Sequence, residues 1–546
     1  MSEALPLGRH VAQAAQRHGA REALVFGERR WTFREFADDV ERTARALLGL
    51  GLGPGERLAL WMPNRPEWLH VFYAAATVGL VVVPLNTRFR AAEADHVLRQ
   101  SGAAAVLAAD RFGPIGYSAI LRDLCPELAT ASAVLRPARL PALRHVVVLG
   151  DDVPAAAVSW ARFLDGAGRV APGGVAQRER SIGVDTPVLI LYTSGTTGAP
   201  RGALHDHWMA RTVIDGASRL GLTPRDTVLL SLPLFHSMGL YGGGLTFVLT
   251  GARGVLMERF EPGEALALVA RERVTYVCGF DTHFRDLLDH PGFAAADVRS
   301  VRLGFLPAGL ASTEPVARRV NREWCRTVSA YGSTEVGTGA CLSFLDASED
   351  ERCLGSGFPL PGYELRIVDP ETGRDTGAGE PGEILVRGYA VTRGYHVAGG
   401  IADPVLDAEG WFHTGDTGVL DAHGFLRLIG RYKDMLKVGG ENVDPLEVEA
   451  YLLRHPGVSQ VKVVGVPDRR LGEVVAACVV PIAEGALTAE ALIDFCRGGI
   501  AGFKVPRHVL LVGEYPMTAS GKVQRFALRE RVLEALRAAG PDASRT

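Results

Sequence analysis

Short, strongly apolar runs that alternate with amphipathic segments constrain the fold of this chain more than any other feature. The runs are dominated by Ala, Val, Leu and Ile, and they lie at residues 103–110, 144–150, 187–195 and 226–234. Stretches with helical periodicity, such as 36–51 and 264–274, lie between them. Apolar strands joined by helices are typical of largely parallel sheets that are covered on both faces. The sequence therefore predicts an α/β fold.

The pattern changes from about Gly355 onwards. Residues 357–388 combine short strands with Gly and Pro turns, which favours a small antiparallel barrel or sandwich. After residues 430–443 come a predicted helix at 445–457, a strand pair and a further helix. These elements suffice for a compact C-terminal domain of roughly 110 residues. A chain of 546 residues is also too long for one ordinary core, so several domains are expected.

Composition excludes several classes of function. Lys and Arg number 59 against 62 Asp and Glu, for a net charge of -3 without a polybasic block, so nucleic acid and anionic membranes are poor partners. The seven cysteines are scattered without a C-x-x-C pair, which favours reduced thiols in the cytoplasm over a disulfide framework or a zinc site. No signal peptide or peroxisomal address is recognisable. The longest apolar run, residues 71–85, is shorter than the roughly 20 residues of a membrane span and predicts a buried helix leading into a buried strand.

One loop points to phosphate chemistry. The strand at 187–193 leads into "TSGTTGAPRG", residues 193–202, where Gly, Ser and Thr precede a single cation, Arg201. Glycines permit close backbone approach, and amides and hydroxyls can form an anion nest. A Walker loop would continue with Lys and Ser or Thr into a helix, but here Pro200 precedes the cation and no hydroxyl follows it. The loop therefore binds phosphate in some other motif, or is a glycine-rich surface loop.

Four further motifs follow this loop in order: "YGSTE" (331–335), "GWFHTGD" (410–416), "GRYKDMLKVGGENV" (430–443) and "PMTASGKVQR" (516–525). Together the five resemble the motif series of the adenylate-forming superfamily, which includes acyl-CoA synthetases, peptide-synthetase adenylation domains and luciferases. The resemblance runs from residue 31 to residue 530, nearly the whole chain. It implies a large N-terminal region, residues 1–430, with two α/β sheet subdomains and a barrel-like part at 355–430. A small mobile α+β C-terminal domain, residues 431–546, would follow.

The resemblance also implies residues that bind ATP and Mg²⁺. The loop 193–198 would hold the β- and γ-phosphates, Glu335 and Thr196 would hold Mg²⁺, and Tyr331 would stack on adenine. Asp416 would accept hydrogen bonds from the ribose. The implied nucleotide-binding residues are Thr193, Ser194, Gly195, Thr196, Thr197, Gly198, Arg201, Ala308, Gly309, Leu310, Tyr331, Gly332, Ser333, Asp416, Arg431 and Asn442. The family usually has Lys where this chain has Arg201, and the exchange is not neutral, because guanidinium is planar and bidentate whereas ammonium is a compact point charge.

The implied catalytic residues come from both domains. They are Lys522, Glu335, Thr334, Lys433, Lys437 and His236. Lys522 would bridge the substrate carboxylate and the α-phosphate, a preorganised contact of the kind whose loss commonly costs on the order of 100- to 1000-fold in rate. Lys433 matches the hinge about which the C-terminal domain swings between an adenylating and a thioester-forming pose. Gly439 and Gly440 would face the pantetheine arm of CoA. For Lys437 and Asn442, the alternative to the implied catalytic and nucleotide-binding roles is a plain solvated position.

The sequence indicates the acid substrate less clearly than it indicates ATP. By the resemblance, the pocket would be lined by Phe235, His236, Tyr241, Gly242 and Phe280. His236 stands where amino-acid-activating relatives carry Asp, which argues against an amino acid; a buried structural histidine is the alternative. The segment "GFDTHF", residues 279–284, replaces an apolar turn of the family with Asp281 and His283. A polar or unusual acid explains it, and so does a surface turn without substrate contact.

Three functions remain open at this stage. The first is an ATP- and CoA-dependent ligase for a fatty or aromatic acid, acting as a monomer or homodimer. The second is an adenylating enzyme with another acceptor or acid, such as a carrier-protein thiol, an amine or the oxyanion nitrite. The third is a non-catalytic sensor that binds nucleotide or acyl-CoA. Pyrophosphate release separates the third function from the others, and CoA dependence separates the first from the second.

Overall fold

The structure is a computed structural model. It describes residues 4–130, 135–171, 173–193, 200–309, 313–397, 400–402, 405–431, 436–438, 441–468, 471–483, 485, 487–497, 499–500, 502–517 and 523–538. Within these ranges, only the backbone is described at residues 400–402, 431, 437, 441 and 442.

One sheet of seven strands is parallel except at one edge. In spatial order its strands are Arg326–Val328, Leu303–Phe305, Tyr276–Cys278, Thr227–Leu230, Arg253–Leu256, Glu22–Phe26 and Arg29–Thr32. The last two strands form an antiparallel hairpin, and the other neighbours pair in parallel. The middle strands are buried along their length, as the apolar run at 226–234 predicts.

A second sheet has nine strands among the described residues. Their order is Gly400–Ala402, Tyr395–Val397, Arg201–Asp206, Pro187–Thr193, Val81–Pro84, Arg57–Trp61, Ala105–Ala109, His145–Leu149 and Val158–Ser159. The first four strands run antiparallel to one another, and the rest pair in parallel. The predicted strands at 103–110, 144–150 and 187–195 are confirmed.

Helices cover these sheets as the amphipathic segments predict. Phe33–Gly49 begins with a capping box, in which Thr32 and Glu35 each accept from the other's backbone N–H. Pro66–Val78 is almost wholly buried and leads into Val81–Pro84, so the run at 71–85 is a buried helix and strand. The other helices of the N-terminal part are Leu7–His18, Ala91–Ser101, Tyr117–Leu124, Trp160–Asp165, Gly174–Glu179, Met209–Arg219, Ser237–Gly239, Thr246–Thr250, Pro262–Glu272, Asp281–Asp289, Glu314–Glu323 and Glu349–Leu354.

Short and irregular elements complete the N-terminal part. The 3₁₀ turns are Pro126–Ala129, Gly166–Arg169 and Phe293–Ala295, and Leu240–Leu245 is a π-helix. A two-stranded ribbon joins Arg111–Phe112 and Ile115–Gly116. Three short antiparallel strands are Ala330–Tyr331, Cys341–Leu342 and Phe358–Pro359.

The region after Gly355 is antiparallel, as its Gly- and Pro-rich pattern predicts. A four-stranded sheet has the order Tyr363–Val368, Gly382–Gly388, Phe412–Leu420 and Leu426–Arg431. Further along the chain, one sheet contains Glu441–Val443, Leu436–Val438, Gly472–Pro481, Val458–Asp468 and His508–Leu511. Its associated helices are Pro445–Leu452, Ala489–Cys496, the 3₁₀ turn Gly502–Lys504 and Arg525–Ala538.

The hydrophobic core follows these layers. One large cluster of buried side chains joins the nine-stranded sheet and part of the seven-stranded sheet to helix Pro66–Val78. A second cluster packs helices Pro262–Glu272, Asp281–Asp289 and Glu314–Glu323 against the seven-stranded sheet. Two clusters lie in the C-terminal part. In the part of the chain that the structure describes, no helix has the length and apolar character that crossing a membrane requires.

Candidate active site

Four neighbouring parallel strands deliver ten of the predicted site residues to one edge of the seven-stranded sheet. The strands end at Val328, Phe305, Cys278 and Leu230, in that spatial order. The segments that follow them carry Tyr331 to Glu335, then Ala308 and Gly309, then Phe280, and finally Phe235 and His236. Ligands of open α/β sheets bind at the carboxyl ends of the strands. Segments separated by up to about 100 residues are thereby brought together.

The two strands that flank the predicted phosphate loop belong to the nine-stranded sheet and pair with each other. Thr193 ends the strand Pro187–Thr193, and Arg201 begins the antiparallel strand Arg201–Asp206, with the two residues in register. The Nε2 atom of His96 lies 3.1 Å from the carbonyl oxygen of Pro200, within hydrogen-bond distance. Residues Ser194, Gly195, Thr196, Thr197 and Gly198 lie outside the described residues, so the structure does not test them.

Glu335 is the point at which the two sheets meet in the site. The hydroxyl of Tyr395 donates to Glu335 Oε1 at 3.1 Å, and Thr193 Oγ1 lies 3.5 Å from the same oxygen. The backbone N–H of Thr392 donates to the Glu335 carbonyl at 2.7 Å. A carboxylate flanked by hydroxyls fits a hard cation such as Mg²⁺, which prefers oxygen ligands.

Arg201, which follows the predicted phosphate loop in the chain, stacks on an aromatic ring. Its guanidinium carbon lies 3.7 Å from the centroid of Tyr395, well inside the range of a cation–π contact. Tyr395 belongs to Tyr395–Val397, which pairs with Arg201–Asp206 through Ala203 opposite Tyr395. Arg201, Tyr395 and Glu335 therefore form a continuous chain of contacts at the end of the phosphate loop.

Tyr331 and Asp416 form a buried pair on the nucleotide side. The hydroxyl of Tyr331 donates to Asp416 Oδ2 at 2.8 Å, and both residues are buried. Burial, with the adjacent Asp416 carboxylate, raises the pKa of Tyr331 well above its ordinary value, so the phenol stays a donor at neutral pH. Asp416 lies in strand Phe412–Leu420 opposite Arg431, whose side chain is outside the described part.

The turn that carries Ser333, Thr334 and Glu335 is compact. A Cβ atom on Gly332 would lie 1.7 Å from the Thr338 carbonyl oxygen, so only glycine fits there. The Thr338 N–H donates to the Ser333 carbonyl at 2.9 Å, and Thr338 itself has a φ of 72°. This is a left-handed conformation that a β-branched residue rarely adopts. The turn is strained, and its hydrogen bonds fix the direction of Glu335.

Ala308 and Gly309 lie on the adjacent strand's extension. The Ala308 N–H donates to Ser329 Oγ at 2.8 Å, which ties this segment to the strand Arg326–Val328. Gly309 has a φ of 105°, and a Cβ atom there would lie 3.0 Å from Ser356 Oγ. The backbone at Gly309 therefore depends on glycine, as close approach to a flat base would require. Leu310 lies outside the described residues.

Asn64, which the sequence did not single out, fixes the segment that carries Phe235 and His236. Its side-chain amide donates to the Leu232 carbonyl at 2.9 Å and accepts from the Leu234 N–H at 2.8 Å. Asn64 is buried, and it comes from a distant part of the chain. A lone asparagine gives no sequence signal for such a contact, because its partners are backbone atoms about 170 residues away.

The predicted acid-pocket residues Tyr241 and Gly242 lie in the π-helix Leu240–Leu245. A Cβ atom on Gly242 would lie 2.7 Å from Cys278 Sγ, so the glycine lets this turn pack on the neighbouring strand. Tyr241 is buried, and its hydroxyl has no hydrogen-bond partner among the described residues. Burial raises its pKa well above the ordinary value, so it stays a neutral phenol. π-Helical turns occur frequently at functional sites.

The unusual segment "GFDTHF" begins a helix. Asp281 opens Asp281–Asp289 and pairs with Arg285 at 3.6 Å, while the Phe280 N–H donates to His283 Nδ1 at 3.3 Å. Burial lowers the pKa of His283 to about 4, and its ring contacts Phe260. Asp281 and His283 thus have local structural partners. This favours the interpretation in which they do not contact the substrate, over the one in which they bind an unusual acid. Phe280 precedes the helix, next to the end of Tyr276–Cys278.

The predicted residues of the C-terminal part are mostly untested. Lys437 and Asn442 face each other in the pairing of Leu436–Val438 with Glu441–Val443, and their side chains are not described. Lys433, Gly439, Gly440 and Lys522 lie outside the described residues. Their roles stay predictions.

Family models match most of the chain. Residues 11–396 match the model of AMP-binding enzymes, and residues 447–522 match that of the AMP-binding enzyme C-terminal domain. The first match contains the phosphate loop and the residues from Phe235 to Tyr395 described above, and the second contains the position of Lys522.

Individual proteins are similar over their full length. A provisionally assigned acyl-CoA synthetase of Bacillus subtilis, YngI, is 35% identical and covers 97% of both chains. A mitochondrial medium-chain acyl-CoA ligase of Bos taurus, ACSF2, is 33% identical over 96% of this chain and 87% of its own length. Among solved structures, the anthranilate CoA ligase AuaEII in complex with anthranoyl-AMP superposes with a TM-score of 0.83 at 27% identity, covering 98% of this chain and 99% of its own.

Proposed function

Since this chain belongs to the AMP-binding enzyme family, we propose that it activates a medium-chain fatty acid at the carboxyl edge of its seven-stranded sheet. The chain is an AMP-forming acid–CoA ligase. In this reaction the acid carboxylate attacks the α-phosphate of ATP, pyrophosphate leaves, and the thiol of CoA then displaces AMP from the acyl-adenylate. The fatty-acid assignment is carried by a relative 33% identical over nearly the whole chain, whose name specifies medium-chain acids.

The residues proposed for the acid pocket support an uncharged acyl group. Phe235, Tyr241 and Phe280 offer aromatic surface, Gly242 offers room beside it, and none of them is a carboxylate or a cation. The burial of Tyr241 and the close packing of Gly242 on Cys278 give this wall a fixed shape. A zwitterionic amino acid would need a counter-charge for its ammonium group. The polar residues that directly follow Phe235 and Phe280 in the sequence are His236 and Asp281.

On the nucleotide side, positioning and charge neutralisation are the main tasks. Mg²⁺ is expected with ATP, and it supplies neutralisation of the phosphate charge. Glu335, together with Thr193 and Thr196, is proposed to hold it. In the described part of the chain no group of three or more His, Cys, Asp or Glu side chains could hold a metal ion. Asp416, oriented by Tyr331, is proposed to accept the ribose hydroxyls.

Lys522 is proposed to be the residue that bridges the carboxylate and the α-phosphate. Lys522→Ala should reduce acyl-adenylate formation on the order of 100- to 1000-fold, because a preorganised cation is lost from the transition state. Binding of ATP should change little. Pyrophosphate release and calorimetry with ATP measure the two effects, and near-normal adenylation by the variant would remove Lys522 from this role.

An aromatic acid is the second candidate substrate. The specific observation that favours it is the superposition on a ligase whose solved complex contains anthranoyl-AMP. Aromatic pocket residues such as Phe280 also suit stacking on a flat acyl group. The two candidates differ in the shape of the group they place in the pocket, so a substrate series separates them.

The experiment that tests the proposal is pyrophosphate release from ATP and Mg²⁺ with saturated acids of 4 to 16 carbons, benzoate, cinnamate and anthranilate, with and without CoA. We expect a maximum in kcat/KM among the medium chains and a thioester only when CoA is present. Each buried methylene contributes about 0.8 kcal/mol, so each added carbon that enters the pocket should raise kcat/KM about threefold to fourfold. A maximum on an aromatic acid would replace the fatty-acid assignment.

We also propose that the protein resides in the cytoplasm. All seven cysteines are free and buried, which supports a reducing compartment such as the cytoplasm. Desolvation raises the pKa of each of these thiols, so they stay protonated and unreactive. For the oligomeric state we retain the expectation of a monomer or homodimer.

A further inference from the structure

Arg201 makes a contact with an aromatic ring that phosphate binding alone does not require. Its guanidinium lies face-on to the ring of Tyr395 at 3.7 Å, and Arg201 begins the strand that follows the loop. Arg201 and Tyr395 lie on adjacent antiparallel strands, so the contact is built into the register of the sheet. The contact commits one face of the guanidinium to the phenol ring, so Arg201 has a structural partner in Tyr395.

Tyr395 is held from several sides, and its hydroxyl is directed at Glu335. Thr392, three residues earlier, donates its N–H to the Glu335 carbonyl and its hydroxyl to the Leu204 carbonyl at 2.7 Å. Gly394 is anchored as well, because its carbonyl accepts from the Leu204 N–H at 3.2 Å. With both ends of this short segment fixed, the Tyr395 hydroxyl reaches Glu335 Oε1 at 3.1 Å.

We propose that Tyr395 is a positioning residue that orients the Glu335 carboxylate towards Mg²⁺, and that Arg201 is the platform that holds Tyr395. Arg201 acts on the nucleotide through Tyr395 and Glu335, not by binding phosphate directly. This inference rests on the proposed role of Glu335 in holding Mg²⁺. It gives a physical reason for arginine at a position where the adenylate-forming superfamily usually has lysine.

The chemistry of the two cations accounts for the difference. A guanidinium is flat and weakly hydrated, so it can cover the face of a phenol ring, whereas an ammonium is a compact and strongly hydrated point charge. A positive charge over the ring also strengthens the phenol as a donor, because it favours displacement of electron density away from the O–H bond. Hydrogen bonds to a carboxylate are stronger than those between neutral groups, so loss of this donor should have a measurable effect on Glu335.

The test is calorimetric binding of α,β-methylene-ATP, with and without Mg²⁺, to the wild type and to Tyr395→Phe, Arg201→Lys and the double variant. Tyr395→Phe should weaken Mg²⁺-dependent binding about tenfold, since a hydrogen bond to a charged group is lost. Arg201→Lys should weaken it less, about threefold, and should add little in the double variant because both changes act through one hydroxyl. Binding without Mg²⁺ should stay within twofold of wild type in every variant.

A matched control lies elsewhere in the chain. Tyr389 also donates to a carboxylate, Asp215 at 3.1 Å, and has a guanidinium, that of Arg211, 5.6 Å from its ring centroid. Tyr389→Phe should leave Mg²⁺-dependent nucleotide binding unchanged. Thermal unfolding of all variants shows whether a loss of binding comes from loss of the fold.

Two results would overturn the proposal. Weakened binding of nucleotide without Mg²⁺ in Arg201→Lys, irrespective of Tyr395, would make Arg201 a direct phosphate ligand. Unchanged Mg²⁺ dependence in Tyr395→Phe would remove Tyr395 from the role. Glu335→Gln separates this inference from the function on which it rests. If Glu335→Gln loses Mg²⁺ dependence while Tyr395→Phe keeps it, only the inference fails; if Glu335→Gln keeps it, the proposed role of Glu335 fails and the inference with it.

Discussion

At the scale of single residues, the hydrogen bond from Tyr331 to Asp416 joins two residues that we propose to contact the nucleotide. Tyr331→Phe keeps the ring and removes the donor to a buried carboxylate. We expect the Kd for ATP to rise about tenfold, because a hydrogen bond to a charged group contributes roughly 1.5–3 kcal/mol, while kcat should fall little. Calorimetry and steady-state kinetics measure the two quantities.

Tyr117 supplies the control for this prediction. Its hydroxyl donates to the Thr87 carbonyl at 2.8 Å, and it is equally buried but belongs to another part of the fold. Tyr117→Phe should therefore alter the free energy of unfolding without altering the Kd for ATP. An unchanged Kd in Tyr331→Phe would show that Asp416 keeps its orientation without this donor.

At the scale of elements, the shape of the turn that carries Glu335 depends on one glycine, Gly332. Gly332→Ala places a Cβ atom 1.7 Å from the Thr338 carbonyl oxygen, so the turn has to move and Glu335 moves with it. We expect kcat/KM to fall about 100-fold, since a displacement of about 1 Å of catalytic groups commonly costs that much. Gly339→Ala lies in the same segment, and its Cβ would have no neighbour within 4 Å. Activity assays should find Gly339→Ala near wild type, and a similar loss in both variants would contradict the steric explanation.

Elements were also the scale at which the sequence was most informative. Strands such as His145–Leu149 and helices such as Phe33–Gly49 were predictable, because continuous apolar runs and helical periodicity are local signals. The Tyr395–Glu335 and Asn64–Leu234 contacts were not, because each joins residues far apart in the chain through a single hydrogen bond. The helix that begins at Asp281 is different again. Its unusual polar residues have local structural partners, which the amino-acid types alone do not reveal. The family motifs predicted the site only because five of them occur in order.

At the scale of the whole molecule, buried histidines make stability depend on pH. Desolvation lowers the pKa of His70, His205, His207 and His283 to about 4, whereas the unfolded chain binds these protons near pH 6.5. The unfolded state therefore binds more protons between these pH values. The free energy of unfolding should be highest above pH 6.5 and should fall as the pH drops towards 4. Burial raises the pKa of Asp206 to about 6, so the folded state binds an extra proton there as pH falls. This effect on stability is opposite in sign to that of one buried histidine and offsets it.

Urea unfolding at pH 7.5, 6.5, 5.5 and 5.0 measures this effect. Each proton of difference gives a slope of about 1.4 kcal/mol per pH unit. His205→Gln should reduce the slope by about one proton near pH 5.5, and His423→Gln, which changes an exposed histidine, should leave it unaltered. A stability that is independent of pH over this range would show that these imidazoles do not stay neutral in the folded protein.

The order of the four strands that end at Val328, Phe305, Cys278 and Leu230 has a consequence for how such a ligase can change its substrate. With a spacing of about 4.8 Å, these strand ends span about 14 Å, comparable to the length of a small acyl-adenylate. The residues proposed to bind nucleotide follow the first two strands, and those proposed for the acid pocket follow the last two. With these roles, the segments after Cys278 and Leu230 can change for a new acid while the segments after Val328 and Phe305 keep the ATP chemistry. The order of the strands thus allows the range of acid substrates to evolve separately from the reaction with ATP.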